Sequence, residues 1–315
     1  MTGPPKTDTP RRWTLHGLNN GAIFTATYYG VRTLPRAVSY AIGHIGTWIA
    51  WRTMPRTRDA LAHNLAPLFP GEDRASLNRR ALRILRSYAL DVIDFLRALS
   101  TENARAMFDL VDEHGAVLKG LLAKGRGLIL VTGHYGNWEL GSLLIRRALD
   151  MPLTIVAMAE IDPTVNRIRR EIRERLGAET IEVRQSLDTP LQIRRHLAAN
   201  RVVAMLVDRH YGRDRVPVTL FGRPAWILRT PLLMAYVSGA PLLPCSIERI
   251  GPGRFSVLPS EPIFVANDRP RDEAIAHGAQ QVADAIADRV RAHPEYWYHF
   301  YRYWDAQRDE YHGLD

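Results

Sequence analysis

From about residue 126 onward, apolar runs of strand length alternate with amphipathic stretches. The runs are GLILVTG (127–133), LTIVAMA (153–159), ETIEV (179–183), VVAMLVD (202–208), LLPCSIE (242–248) and RFSVL (254–258). Helical periodicity fills the intervals at about 137–149, 163–176, 190–199 and 229–238, with a last helix over 271–292. Apolar strands separated by helices predict an α/β fold: a mixed, mostly parallel central sheet flanked by helices. Upstream, residues 72–110 read as helical, because Arg79, Arg80, Arg83 and Arg86 alternate with Leu82, Ile84, Leu85 and Tyr88. The apolar stripe continues through Val92, Ile93, Phe95 and Leu96. No internal repeat is present. The parse is a disordered N-terminus (1–12), a helical N-terminal attachment (13–110), one α/β domain (111–305) and a tail (306–315).

The helical attachment raises a membrane question. Ala37 to Trp51 is a 15-residue uncharged stretch between Arg36 and Arg52. A spanning helix needs about 20 apolar residues. Flanking arginines together with Tyr40, Trp48 and Trp51 suit a helix lying on the membrane interface. A buried core helix is the alternative. Trp13 to Val31 carries no charge but is too polar for lipid, and no cleavable leader is visible.

Composition sharpens this picture. The chain has 315 residues, with 46% hydrophobic and 24% charged side chains, which is globular and excludes a mainly disordered or multi-span protein. Lys and Arg number 42 against 33 acidic groups, a net charge of +9 carried almost entirely by arginine. Residues 1–60 hold eight basic side chains against Asp8 and Asp59. A basic end attracts nucleic acid, an anionic leaflet or an acidic protein, or is simply a solvated face. Nucleic acid is disfavoured, because the chain has no recognisable reading motif and its arginines are scattered. The single cysteine, Cys245, excludes an internal disulfide and any cysteine-built metal site.

The familiar catalytic signatures are missing: no G-x-S-x-G, no H-E-x-x-H, no P-loop and no C-x-x-C occur. A covalent serine or cysteine hydrolase is therefore disfavoured. What remains is GLILVTGHYGNWELG, residues 127–141, in which a strand runs into His134 and a helix begins near Asn137. Ligand sites in α/β sheets lie beyond the carboxyl ends of strands, where His134 falls. With Gly136 providing a bend, Glu139 in the first helical turn can reach the imidazole. A histidine held by a carboxylate removes a proton from an alcohol. Backbone amides near Gly136 would then receive an oxyanion. The alternative is a satisfied histidine beside a capping Asn137. Asp208 ends a second strand and either positions a ligand, helps the base or caps a turn. A metal bound by His134, Glu139, Asp208 and His210 lacks close ligand spacing, so neither metal nor cofactor is expected.

These residues carry a resemblance. From about residue 35 to 304 the chain resembles the bacterial lipid A late acyltransferases, the lauroyl and myristoyl transferases of the lysophospholipid acyltransferase superfamily. His134-Tyr-Gly-Asn-Trp-Glu139 looks like that superfamily's H-x4-D/E motif. Further matches follow in order: Arg58 to Leu65 with Leu68-Phe69-Pro70, Arg173-Glu-Arg175-Leu-Gly177, and Val207-Asp208 with Tyr211-Gly212 and Phe221 to Ala225. Gly239 to Pro244 and Arg291 to Trp297 complete the series. Arg209 stands where the family commonly has glutamine. The resemblance implies a glycerophospholipid-acyltransferase-like fold, His134 as general base, Glu139 as its partner, and Arg175 and Asp208 in the substrate-binding or supporting shell. It further implies transfer of a fatty acyl group from acyl carrier protein or acyl-CoA to a hydroxyl of a glycolipid at the cytoplasmic face of the inner membrane. The acceptor expected first is a lipid A precursor, with a phosphatidylinositol mannoside or an amino-acid lipid as alternatives. Arg175, Arg209 and Arg229 are candidates to grip acceptor phosphates. The aromatic run Tyr296 to Trp304 suits a membrane belt, an acyl-tunnel wall or a tail packed on the core.

Overall fold

Four helices precede the sheet in the computed structural model, which describes residues 21–98, 104–109, 111–158, 162–183, 188–210, 212–265 and 268–308. The expected disorder of residues 1–12 lies outside the described residues, as does most of the expected tail. The helices are α1 (Gly21–Thr33), α2 (Arg36–Thr53), α3 (Pro55–Leu65) and α4 (Arg74–Ala98). The expected uncharged helix is α2, and it lies with an unusual polarity. Ser39 and Thr47 face inward, their hydroxyls satisfied by the carbonyls of Pro35 and Gly43. Val38, Ile42, Ile45, Trp48 and Ile49 face outward and are 43% to 60% exposed. No helix among the described residues is long and apolar enough to cross a membrane.

The sheet contains β1 (Phe108–Asp109), β2 (Leu128–Thr132), β3 (Leu153–Ala157), β4 (Glu179–Glu182), β5 (Val202–Leu206), β8 (Leu242–Gly251) and β9 (Arg254–Pro259). Their spatial order is β1-β9-β8-β2-β5-β3-β4, parallel at every junction except β8–β9. The mixed, mostly parallel sheet read from the apolar runs is thus present. Period-two alternation divides each strand between two cores. Ile129, Val131, Val203 and Met205 join the core beneath α8 (Asp188–Ala198), α9 (Thr230–Ser238) and α10 (Arg271–Ala292). Leu128 and Val202 join the other, beneath α5 (Val111–Leu122) and α7 (Pro163–Arg175). Helix α4 serves both: Ala81 and Ile84 lie in the first core, Ile93 and Leu96 in the second.

Two departures from the sequence reading have local causes. A two-stranded antiparallel hairpin, β6 (Val216–Leu220) and β7 (Arg223–Ile227), was not legible because Pro217 and Pro224 interrupt its strands. Its turn, Phe221-Gly222, takes positive φ at both residues. The single helix expected over 137–149 is broken into a 3₁₀ turn (Trp138–Leu140), the short α6 (Gly141–Leu143) and a π turn (Leu144–Ala148). The last element is α11 (Tyr303–Arg308).

Candidate active site

Strand register brings the site together. β2 and β5 pair in parallel with Thr132 opposite Leu206, and the Val207 amide donates to the Thr132 carbonyl at 2.9 Å. Two residues further along each chain stand His134 and Asp208, side by side at the carboxyl edge. The imidazole Nδ1 lies 2.7 Å from Asp208 Oδ1, and the His134 backbone N–H donates to Oδ2, also at 2.7 Å. Gly133 makes this approach possible, since a Cβ there would sit 2.9 Å from Asp208 Oδ2.

The C-terminal segment closes the site from the other side. Tyr298 N–H donates to the His134 carbonyl at 2.7 Å, Gly136 N–H donates to the Tyr296 carbonyl at 2.9 Å, and Tyr135 bridges Trp297. This lays His299, fully buried, against the carboxylate, with Nε2 2.8 Å from Asp208 Oδ2. The aromatic run is therefore core rather than membrane belt: Trp297, Tyr298, Tyr303 and Trp304 are all buried.

Electrostatics follow from burial. Desolvation, and then the Arg209 guanidinium, push the His134 imidazole down to about 4, against the opposing pull of Asp208. Burial alone would raise the Asp208 carboxyl, but the charges of His134 and His299 and their hydrogen bonds hold it well below the usual range. Near neutral pH the arrangement is a neutral imidazole beside a carboxylate. A carboxylate only accepts hydrogen bonds, so Nδ1 carries the proton and the Nε2 lone pair is left to act as a base. His134 keeps 13% of its side-chain surface exposed.

The expected imidazole–Glu139 contact is corrected by the structure: the ring's carboxylate partner is Asp208. Glu139 instead meets Arg169, with Nη1 2.9 Å from Oε1 in an ion pair whose N–H direction is not that of a hydrogen bond. Burial would raise the Glu139 carboxyl, but Arg169 and Arg173, with a smaller contribution from His134, bring it below its ordinary value. The breaking of the 137–149 helix moves Glu139 into a 3₁₀ turn facing α7. Gly136 does bend, at φ +61°. Its amide is not available to an oxyanion, because Tyr296 takes it, and the Asn137 amide is taken by Ile247 at 2.8 Å. Asn137 does not cap a helix; its side chain donates to the Asp91 carbonyl at 2.9 Å.

Arg209 shares the site, donating to the Tyr298 carbonyl at 3.2 Å with its guanidinium over the Tyr301 ring. Arg175 ends α7 with an exposed side chain, and Arg229 pairs with Asp272 at 3.0 Å. His210 turns toward the Ala306 backbone and Arg215. Among the described residues, one donor atom each of His134, Asp208 and His299 lie within 4.8 Å of one another. Their 2.7 and 2.8 Å contacts are those of shared protons rather than of ligands converging on an ion. Sequence reasoning missed Arg169 and His299. Arg169 had a signal, lying one helical turn before Arg173, whereas His299 had none beyond its aromatic neighbours. A cavity of about 30 Å³, room for one water, lies beside the motif between Tyr88, Val92, Phe95, Trp138 and Arg169.

The profile of the family described as bacterial lipid A biosynthesis acyltransferase matches residues 5–306. The phosphatidylinositol mannoside acyltransferase of Mycobacterium tuberculosis is 28% identical over 297 residues, covering 91% of this chain and 89% of that protein, in each of two strains. The protein of that name from Mycolicibacterium smegmatis is 26% identical over 290 residues, covering 90% of each.

Proposed function

We propose that this chain, which belongs to the bacterial lipid A biosynthesis acyltransferase family and is accordingly an O-acyltransferase, acylates a hydroxyl of a mannosylated phosphatidylinositol from a fatty acyl thioester. The observation that carries the chemistry is the neutral imidazole of His134 held by Asp208 at the carboxyl edge of the sheet. His134 Nε2 takes the acceptor's hydroxyl proton as the oxygen attacks the thioester carbonyl carbon. Asp208 stabilises the resulting imidazolium. The tetrahedral intermediate collapses with cleavage of the C–S bond, and the imidazolium returns its proton to the departing thiolate. No covalent acyl-enzyme is needed.

Arg209 places positive charge beside the base and serves the developing oxyanion or an acceptor phosphate. Glu139 and Arg169 fix α7 against the motif turn. The donor is acyl-CoA or acyl carrier protein. The enzyme works on the cytoplasmic face of the inner membrane, lying on it through the outward apolar face of α2, which Arg36 and Arg52 flank.

The acceptor is argued from the relatives, which bear the mannoside name over about nine-tenths of the chain. A lipid A precursor is the second reading, favoured by the family's description. Purified protein given a long-chain acyl-CoA and each acceptor in turn, with products read by mass spectrometry, separates them. Acylated mannoside is the expected product. Acylation of the lipid A precursor alone replaces the first reading with the second, and acylation of neither overturns both.

A further inference from the structure

Asp208 divides its carboxylate among three donors. Oδ1 takes the ring of His134, while Oδ2 takes both the His134 amide and His299 Nε2. His299 is itself fixed. Its carbonyl accepts from Asn64 Nδ2 at 2.9 Å, its Nδ1 lies 3.2 Å from the Tyr301 hydroxyl, and its ring is wholly buried. A buried imidazole this constrained has one role open to it that its surroundings satisfy. With the Tyr301 hydroxyl donating to Nδ1, Nε2 carries the proton and donates it to the carboxylate.

We propose that His299 is a positioning residue: a buried clamp that fixes the rotation of Asp208, so that the carboxylate holds His134 in its base-competent tautomer. This rests on the reading of His134 as the base. The ring and amide of His134 take one oxygen each, both from the motif turn. His299 adds a second donor on Oδ2 from a separately anchored segment and so restricts rotation about the Cβ–Cγ bond further. The clamp also takes part of the anion's hydrogen-bonding capacity, which tempers the basicity that Asp208 confers on His134. The ionisable groups facing the two imidazoles are Asp208 and Arg209 from the loop after β5, Glu139 from the 3₁₀ turn, and Tyr301 and Tyr303 from the C-terminal segment. Burial first and Arg209 last lower the His299 imidazole, against the opposing pull of Asp208.

The test uses the full-length protein. Side-chain ¹⁵N NMR, with assignment by His299→Gln, shows His299 as the Nε2–H tautomer; the Nδ1–H tautomer cannot donate to Asp208 and overturns the inference. In kinetics, His299→Phe lowers kcat about ten-fold or more while KM for the thioester stays within about two-fold. It also moves the acid limb of kcat/KM upward by about half a pH unit, because the carboxylate then serves His134 alone. His299→Gln, which restores an N–H near the same point, recovers most of the rate. Wild-type kcat with an unmoved limb in His299→Phe, or a glutamine variant as impaired as the phenylalanine one, overturns the clamp. If the wild type transfers no acyl group, the proposed reaction fails, whereas the tautomer and the NMR titration of His134 still decide the clamp.

Discussion

Asp208 holds His134 at two points, taking its backbone N–H on one oxygen and its ring N–H on the other, each at 2.7 Å. The first contact fixes the turn and the second fixes the tautomer, so backbone and chemistry are locked by one group. Replacing Asp208 by asparagine removes the charge and presents an amide that drives His134 into the wrong tautomer. Asp208→Asn is expected to lower kcat by about 10²- to 10⁴-fold with circular dichroism unchanged. Glu139→Gln, which releases Arg169 but leaves the imidazole's hydrogen bond intact, is expected to cost less. Steady-state acyl transfer by the two purified variants checks the order.

The pH dependence follows from the depressed histidine. An imidazole pushed down to about 4 stays unprotonated well below the pH at which an ordinary histidine gains its proton. Activity is therefore expected to hold as pH falls through 6.5 and to drop only near 4, and kcat/KM against pH measures this. Removing the nearby cation makes protonation easier, so Arg209→Gln moves that limb to higher pH. An unmoved limb in Arg209→Gln would show that burial alone sets it.

Two glycines of the motif are expected to fail differently. A Cβ at Gly136 is driven into the Ile247 carbonyl oxygen, and the residue's φ of +61° is strained for any L side chain. Gly136→Ala should lose about 2 kcal/mol or more of stability in a urea melt. A Cβ at Gly133 meets the Asp208 carboxylate instead. Gly133→Ala should keep more of its stability but lose most of its activity. Measuring melt and rate together separates the two.

The outward face of α2 yields a binding prediction. Changing Ile45 and Trp48, 60% and 56% exposed, to glutamate removes apolar area and adds repulsion from anionic lipid. Sedimentation with vesicles containing anionic phospholipid should fall by about ten-fold or more, with the thermal melt little changed. Equal sedimentation by wild type and variant would remove the proposed membrane contact.

How far the sequence could be read depended on the range over which each feature is decided. The apolar runs that became β2, β3, β5 and β8 were legible because burial on both faces leaves a near-continuous hydrophobic signature. The edge strand β4 and the alternating β9 were legible instead from their β-favouring residues and period of two. His134 was legible because it follows such a run. Asp208 was legible as a strand-end carboxylate, with help to the base among its three readings. That it, rather than Glu139, holds the ring was not, because the pairing depends on β2 and β5 lying next to each other, across 74 residues. Glu139 was near in sequence, but the motif helix breaks and turns it toward Arg169. His299 was hidden in an aromatic run whose composition fits a buried segment as readily as an interfacial one.

The three groups around Asp208 come from segments that meet only after long stretches of chain have been laid down, with separations of 74 and 91 residues to the two imidazoles. Contacts across such separations carry a large loop-closure cost, which the packing of the intervening strands has to offset. The Asp208 cluster is thus a readout of the whole fold: a chain in which the C-terminal segment has not docked against β2 and β5 leaves His134 without its ordered partner.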